Sequence, residues 1–488
     1  MILPEDRPES PSKLPQLAET VESVQDAPPA YPGHEAGSSR IAAGPPPINE
    51  RQPLNQQEQP IYVPVYVKPD ADATRRAKRR FFKAFFIAFF IYIVFWALVK
   101  SIFDIAFGPS LGNRYEHEDA VTAQPRPPDG KILSCIKGAD HWADHDGHLM
   151  TTFKLDRWSD KLYLFSRGMH LTGDVAITLD ESVHQPDAVM VDVIARSHTS
   201  DWLHAVQVCS LERKKGEQGV GLFSPTRWRS QYRLPELEFG VVIRVPMLKS
   251  TEPFLISSLE TDLPNFSHHI GDLGDQVLFR NLSLKSTNSH VSAQSVTVTN
   301  AQVITTNSRI VGDFRASESL ELVTSNDLIN VTATMTHINP DSSGPVLRMK
   351  TSNRQIISAV NLVSNLPTVR YRSGGSFNIE ANTSNARLAL DFPTAPVDSV
   401  VNVLARTSNM KATINMHPTW EGEFQVTTSN EMVAVYNSHP ADPSGKGREK
   451  RVTAVGSWQK SEGVVLWDGT YMGSLRLHTS NAPVELYV

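Results

Sequence analysis

A Thr-Ser-Asn-like triplet recurs from about residue 280 onward, and a chain that repeats one corner must stack its turns. The triplets are Ser286-Thr287-Asn288, Thr305-Thr306-Asn307, Thr324-Ser325-Asn326, Thr351-Ser352-Asn353, Thr383-Ser384-Asn385, Thr407-Ser408-Asn409, Thr428-Ser429-Asn430 and Thr479-Ser480-Asn481. Their asparagines lie 19, 19, 27, 32, 24, 21 and 51 positions apart. The shorter spacings suit one turn of a β-coil, a unit that buries its apolar face only by stacking on its neighbours. The flanks alternate as half-buried strands do: Leu320 and Leu322 before one triplet, Phe424 and Val426 before another, Leu475 and Leu477 before the last. Asparagine suits a corner because it tolerates left-handed backbone and its amide satisfies nearby groups. In stacked corners the amides would fall in register as a ladder. The expected fold is an all-β, repeat-built β-solenoid over 280–488, and the uneven spacing leaves a stacked β-sandwich as the alternative.

Residues 131–279 read as β-rich too. Val175–Leu179, Val189–Ile194 and Val241–Val245 are short apolar or alternating runs. The last triplet gap holds a polar loop, Asn437 to Lys450, and a hairpin signal at Asp468-Gly469.

The N-terminal part differs in kind. Residues 1–73 are Pro-rich and poor in large apolar side chains, so they bury too little to offset ordering and read as a disordered tail. Residues 74–107 carry a basic flank and an apolar run. Ala84 to Val99 is free of charge, and Phe81, Phe82, Ile102, Phe103, Ile105, Ala106 and Phe107 extend it toward the roughly 20 residues of a membrane span. Arg75, Arg76, Lys78, Arg79, Arg80 and Lys83 precede it, whereas Lys100, Asp104, Arg114, Glu116, Glu118 and Asp119 follow. Positive-inside then keeps the N-terminus cytosolic and places the C-terminal part outside or in a lumen, a single-pass type II arrangement in the plasma membrane or secretory pathway. Residues 108–130 form the stalk.

Asn-x-Ser/Thr acceptors occur at Asn265, Asn281, Asn330 and Asn382, all beyond the apolar segment, as lumenal glycosylation requires. Cys135 and Cys209 are the only cysteines. They pair in one bridge or pack as two buried thiols. In the tail, Pro28-Pro29-Ala30-Tyr31 has the form of a WW-domain ligand. A cytosolic WW-domain protein, such as a ubiquitin ligase, is thus one expected partner.

Composition excludes several chemistries. The net charge of −5 gives no footprint for nucleic acid. Asp140-His141-Trp142-Ala143-Asp144-His145-Asp146-Gly147-His148 holds metal-ligating types but matches no zinc signature, so neither metal nor cofactor is expected. Asp313, Asp327, Asp341 and Asp391 are the acids a glycan-cleaving coil would need, and the sequence scatters them. Trp142, Trp158, Trp202 and Trp228 crowd residues 131–279, as core packing or as a sugar platform.

The repeat over 280–488 carries a resemblance, most clearly from Thr407 onward. Thr407-Ser408-Asn409, His417-Pro418-Thr419-Trp420-Glu421-Gly422, Thr428-Ser429-Asn430, Asp442-Pro443-Ser444-Gly445-Lys446-Gly447-Arg448 and Thr479-Ser480-Asn481-Ala482-Pro483 resemble adhesin-like β-solenoid domains of bacterial membrane proteins and their fungal relatives. The resemblance implies a non-catalytic ectodomain that contacts a cell-wall glycan or a surface protein, anchored in a lipid bilayer. It supplies no catalytic residues. A glycan-active enzyme on the same scaffold, or an adaptor acting through the tail, are the alternatives.

Overall fold

The computed structural model describes residues 124–488, apart from 139–141, 146–147, 182–185, 197–202, 204–205, 227–236, 249–250, 367–373 and 470–471. The tail, its Pro28, Pro29 and Tyr31, and the apolar segment lie outside the described residues. No helix among the described residues is long and apolar enough to cross a membrane.

Past one 3-10 turn, Pro127–Asp129, the described residues form strands. The first are β1 (Lys131–Lys137), β2 (Ala143–His145), β3 (His148–Asp156), β4 (Lys161–Arg167), β5 (Leu171–Asp180), β6 (Ala188–Ala195), β7 (Gln207–Glu212), β8 (Glu217–Phe223) and β9 (Leu237–Pro246). Next come β10 (Phe254–Asp262), β11 (Phe266–Asp272), β12 (Val277–Lys285), β13 (Val291–Ile304), β14 (Ile310–Val323), β15 (Ile329–His337), β16 (Val346–Lys350), β17 (Ile356–Ser364), β18 (Ser376–Asn382) and β19 (Leu388–Thr394). The last are β20 (Val400–Arg406), β21 (Ala412–Asn415), β22 (Gly422–Thr427), β23 (Val433–Tyr436), β24 (Arg451–Ser457), β25 (Lys460–Leu466), β26 (Gly473–His478) and β27 (Val484–Tyr487).

Each turn of the chain places one strand on face A and the next on face B. Along face A the parallel order is β8, β4, β10, β12, the second half of β13, the second half of β14, β16, β18, β20, β26 and β22. Along face B it is β9, β5, β11, the first halves of β13 and β14, then β15, β17, β19, β21, β27 and β23. The period-2 pattern turns alternate side chains inward in register. One inner row of face A runs Leu162, Leu259, Leu282, Ala301, Leu320, Leu347, Ile379, Val403, Leu475, Phe424, and all are buried. These rows and their counterparts on face B form one continuous apolar core.

The uneven spacing has a local cause. Where asparagines are 19 apart, β13 and β14 run unbroken from face B to face A. Within face B, Gly312 lies opposite Ala293, where β13 shifts register: its φ is +133°, and a Cβ there would lie 2.0 Å from the Ala293 carbonyl oxygen. Longer spacings add residues between β15 and β16, β17 and β18, and β19 and β20. All additions fall at the return corner, and the triplet corner is constant.

The structure differs from the sequence reading in where the coil begins and where the last hairpin turns, and it adds the order of the final turns. The coil does not begin at residue 280, because β4/β5 and β10/β11 are already full turns of it. The last turn of the sequence is also not the last of the stack. β26/β27 lies between β20/β21 and β22/β23, because β24 and β25 fold back antiparallel on β22 and return the chain one rung inward. The turn between β24 and β25 is at Trp458-Gln459, not Asp468-Gly469. Those two residues instead donate their N–H groups to Glu421 Oε2 at 3.1 and 2.9 Å, beside Trp467 N–H at 2.9 Å. Arg448 sits among Asp398, Glu421, Asp442 and Asp468. Burial opposes the charge on Asp442, but hydrogen bonds from Arg448 and Ser444 outweigh it and hold the carboxyl well below the ordinary range.

Antiparallel strands cover the other end. β7 and β1 extend face A beyond β8, and β6, β3 and β2 extend face B beyond β9. Cys135 and Cys209 face each other across β1 and β7 as a disulfide closing a separation of 74 residues. They join Tyr163, Phe165, Leu211 and Phe223 in a small second core. Burial pushes the Tyr163 hydroxyl up to about 12, and it donates to the Asp129 carbonyl at 3.1 Å.

Candidate binding face

The triplet corners form the most regular polar structure in the chain. Each corner asparagine donates from Nδ2 to Oδ1 of the asparagine one rung before it. The ladder runs Asn265, Asn288, Asn307, Asn326, Asn353, Asn385, Asn409, Asn481, Asn430, with steps of 2.6 to 2.9 Å. The triplet's other positions have separate tasks. The first is buried, and Thr324, Thr351, Thr383 and Thr407 donate their hydroxyls to the preceding corner at 2.9 to 3.0 Å. The second accepts, through its carbonyl, the next corner's Asn N–H, as Ser325 does from Asn353 at 3.0 Å. The left-handed backbone expected of these asparagines is not found: among the described non-glycine residues only His170 and Asp398 have positive φ. Amide stacking is what the corner selects.

The ladder also relocates a sequence-read glycosylation acceptor. Asn265 is its first rung, with Oδ1 accepting from Asn288 and Nδ2 donating to the Leu171 carbonyl at 3.3 Å. Asn281 lies on the outside of face A, its Nδ2 on the Ser257 carbonyl at 3.2 Å. Asn382 ends β18 and donates to Glu380 at 2.8 Å. Asn330 is exposed on β15 of face B.

The outer side of face A carries a continuous trough. Three adjoining hollows of about 260, 610 and 490 Å³ lie along it. The first two share Val346 and Arg348, and the last two share Ser474 and Arg476. Registered strands set its floor. One outer row reads Ser258, Asn281, Asn300, Ser319, Val346, Asn378, Asn402, Ser474, Glu423. The neighbouring row reads Glu260, Ser283, Gln302, Glu321, Arg348, Glu380, Leu404, Arg476, Gln425, Glu462. Hydrogen bonds link the rungs: Ser319 to Asn300 at 2.7 Å, Asn402 to Asn378 at 3.1 Å, Ser474 to Asn402 at 2.9 Å, and Gln425 to Glu462 at 2.6 Å. This is a fixed, polar, amide-rich surface.

Three of its carboxylates, Glu321, Glu380 and Glu462, are engaged with donors. Arg348 lies 3.6 Å from Glu380, and Gln302 donates to Glu321 at 2.8 Å. Lys460 and Gln425 hold the Glu462 carboxyl below its usual range. The acid whose burial raises it above its ordinary value, Asp313, lies on β14 within face B, away from the trough. Asp327 follows a corner, Asp341 is in a return loop, and Asp391 on β19 accepts from Asn415 at 2.6 Å, so these four acids are not brought together.

The remaining sequence candidates disperse. No metal-holding group of His, Cys, Asp or Glu occurs among the described residues. In the 140–148 segment, Asp140, His141, Asp146 and Gly147 lie outside the described residues, and Asp144 and His148 are exposed on the β2–β3 hairpin. Trp142 is buried against Phe239, Trp158 is 71% exposed with Arg157 over its ring at 4.5 Å, and Trp202 and Trp228 lie outside the described residues. The trough was missed at sequence level because its rows run across strands 19 to 72 residues apart; the one clue was the alternation of Asn, Ser and charge opposite the apolar positions.

Comparison with known proteins gives no match to any family model and none to a curated protein. Two solved structures are similar: a proposed cell adhesion protein from Clostridium sporogenes ATCC 15579, at 9% identity and TM-score 0.16, and a proposed adhesin from Parabacteroides distasonis ATCC 8503, at 10% identity and TM-score 0.25. They cover 70% and 69% of this chain, and 99% and 96% of their own. At such TM-scores neither likeness carries an argument, and the functional reading stands on the trough itself.

Proposed function

We propose that this chain is a non-catalytic, membrane-anchored surface protein whose β-solenoid offers the face A trough to an extended partner, a cell-wall polysaccharide in the first instance. The observation that carries this reading is the trough: a straight row of amides and hydroxyls, held rung by rung, on the outside of a rigid coil. Such a surface matches a long ligand with repeated hydroxyl groups better than a compact substrate, which needs an enclosed pocket. Support for a binding rather than cleaving role comes from carboxylates already committed to Arg348, Lys460 and Gln side chains. A glycosidase keeps one carboxyl protonated beside a second at a set separation. The membrane anchor and its orientation rest on residues 74–107 and belong to this proposal.

The test is binding of the purified chain to insoluble wall polysaccharides and a glycan array, with release of soluble sugar measured alongside. Saturable retention without sugar release is expected. Sugar release that tracks the protein would replace this reading with an enzyme, and retention on no polysaccharide would overturn it.

A further inference from the structure

Taking the trough as the binding surface, we propose that its C-terminal half selects an anionic, hydroxyl-rich polysaccharide, such as a polyuronate, laid along the coil axis. The charge is distributed unequally along the trough. Toward β14 the outward side chains include Glu318 and Glu321. From β16 to β26 they include Arg476, which lines the trough, and Lys350 and Arg406 in the row along its edge, all exposed and with no ion pair among the described residues. Lys350, Asn382, Arg406 and His478 stand in one registered row, and Arg476 is two residues from His478 on the same strand.

The spacing fits a polymer. Adjacent strands are about 4.8 Å apart, so Lys350 and Arg406, two strands apart, sit about 10 Å from each other along the axis. Arg406 and Arg476 lie on neighbouring strands. Asn378 and Asn402 occupy a parallel outer row, next to the row of Arg476 and two rows from Lys350 and Arg406. Each amide spends one N–H within the protein, on the Ser343 carbonyl and on Asn378 Oδ1, and keeps a second for a sugar hydroxyl. Anions on the cations and hydroxyls on the amides are therefore read at once. Glu423, the acid of this half that meets no cation among the described residues, lies at the far end beyond Ser474. A polyuronate brings a carboxylate and hydroxyls on every unit, whereas an acidic peptide meets the amide row only with its backbone carbonyls.

The full chain is tested by titration with sodium polygalacturonate, uncharged laminarin and polyglutamate at low and high salt. The variants are K350Q/R406Q/R476Q and a control, R309Q/R387Q, which removes exposed cations near the triplet corners. Because all five side chains are exposed, thermal melting of both variants should match the parent. Saturable, salt-weakened binding of polygalacturonate is expected, reduced roughly ten- to a hundredfold in the triple variant and unchanged in the control. Equal binding of laminarin, untouched by the triple variant, would overturn the anionic selection and leave the trough reading intact. Polyglutamate binding as tightly through the same three cations would also overturn it, in favour of a peptide partner. Failure of both polysaccharides to bind would remove the trough reading and this inference together.

Discussion

His268 and Thr261 place a polar pair in the core, and that pair should make the coil acid-sensitive. Thr261 Oγ1 and His268 Nε2 are 2.8 Å apart, and both residues are fully buried. In register with His268 stand Val175 and Val291, and in register with Thr261 stand Leu164 and Leu284. Burial lowers the His268 pKa to about 4, outweighing the Phe266 backbone, with His269 and His290 acting in the same direction. In the unfolded chain histidine titrates near 6.5, so between about 6.5 and 4 the unfolded state binds the extra proton. The contribution is therefore fully present above about pH 6.5 and is lost as the pH falls toward 4. A gap of about 2.5 units at 1.36 kcal/mol each gives about 3 kcal/mol. The perturbation is T261V/H268L, which fills both positions with apolar groups as the adjacent rungs do. At neutral pH it should be close to neutral, whereas H268L alone orphans the Thr261 hydroxyl and costs about 1–3 kcal/mol. Denaturant unfolding at pH 7.5, 6, 5 and 4 measures this, and the difference between parent and double variant cancels the carboxylates common to both. Parallel decline of the two proteins from pH 7.5 to 4 would refute the reasoning.

Three further outcomes follow from the same geometry. R448M should destabilise the chain by about 1–3 kcal/mol in denaturant unfolding, because Glu421, only 3% exposed, keeps its three backbone N–H donors but loses its cation. N353D should cost about 1–2 kcal/mol by thermal melting, since the carboxylate cannot donate to Asn326 and faces its Oδ1, while N330D, off the ladder, should stay within about 0.5 kcal/mol of the parent. Mass spectrometry of chain made in a secretory host should find glycan on exposed Asn330 and none on Asn265, whose amide is bonded to Leu171 and to the ladder.

Much of the fold was legible because one chemistry repeats locally. The triplet and the alternation beside it identify the corner and the strand on either side without long-range information. Asn265 escaped because its corner reads Leu263-Pro264-Asn265: the buried first position is filled by leucine, not threonine, and the same asparagine also reads as a glycosylation acceptor. Neither local reading could decide between these roles. What decides is whether another asparagine lies one rung away, and Asn288 does.

The order of the final rungs was illegible for a different reason. Asn430 and Asn481 belong to chemically equivalent corners, so either could follow Asn409 in the ladder. The choice is made by residues outside the repeat. Glu421 gathers three successive N–H groups from Trp467 to Gly469, and Trp467 Nε1 donates to the Pro418 carbonyl at 2.9 Å. These contacts fix where the β24–β25 excursion ends, and so on which side of β22 the chain re-enters as β26. His417–Gly422 and Asp442–Arg448, which carry no alternating pattern, thus supply the long-range instruction that the repeat lacks. The same insertion brings Arg476 beside Arg406. Had β22 stacked directly on β20, Gln425 would stand in that place and the cationic half of the trough would lose a member.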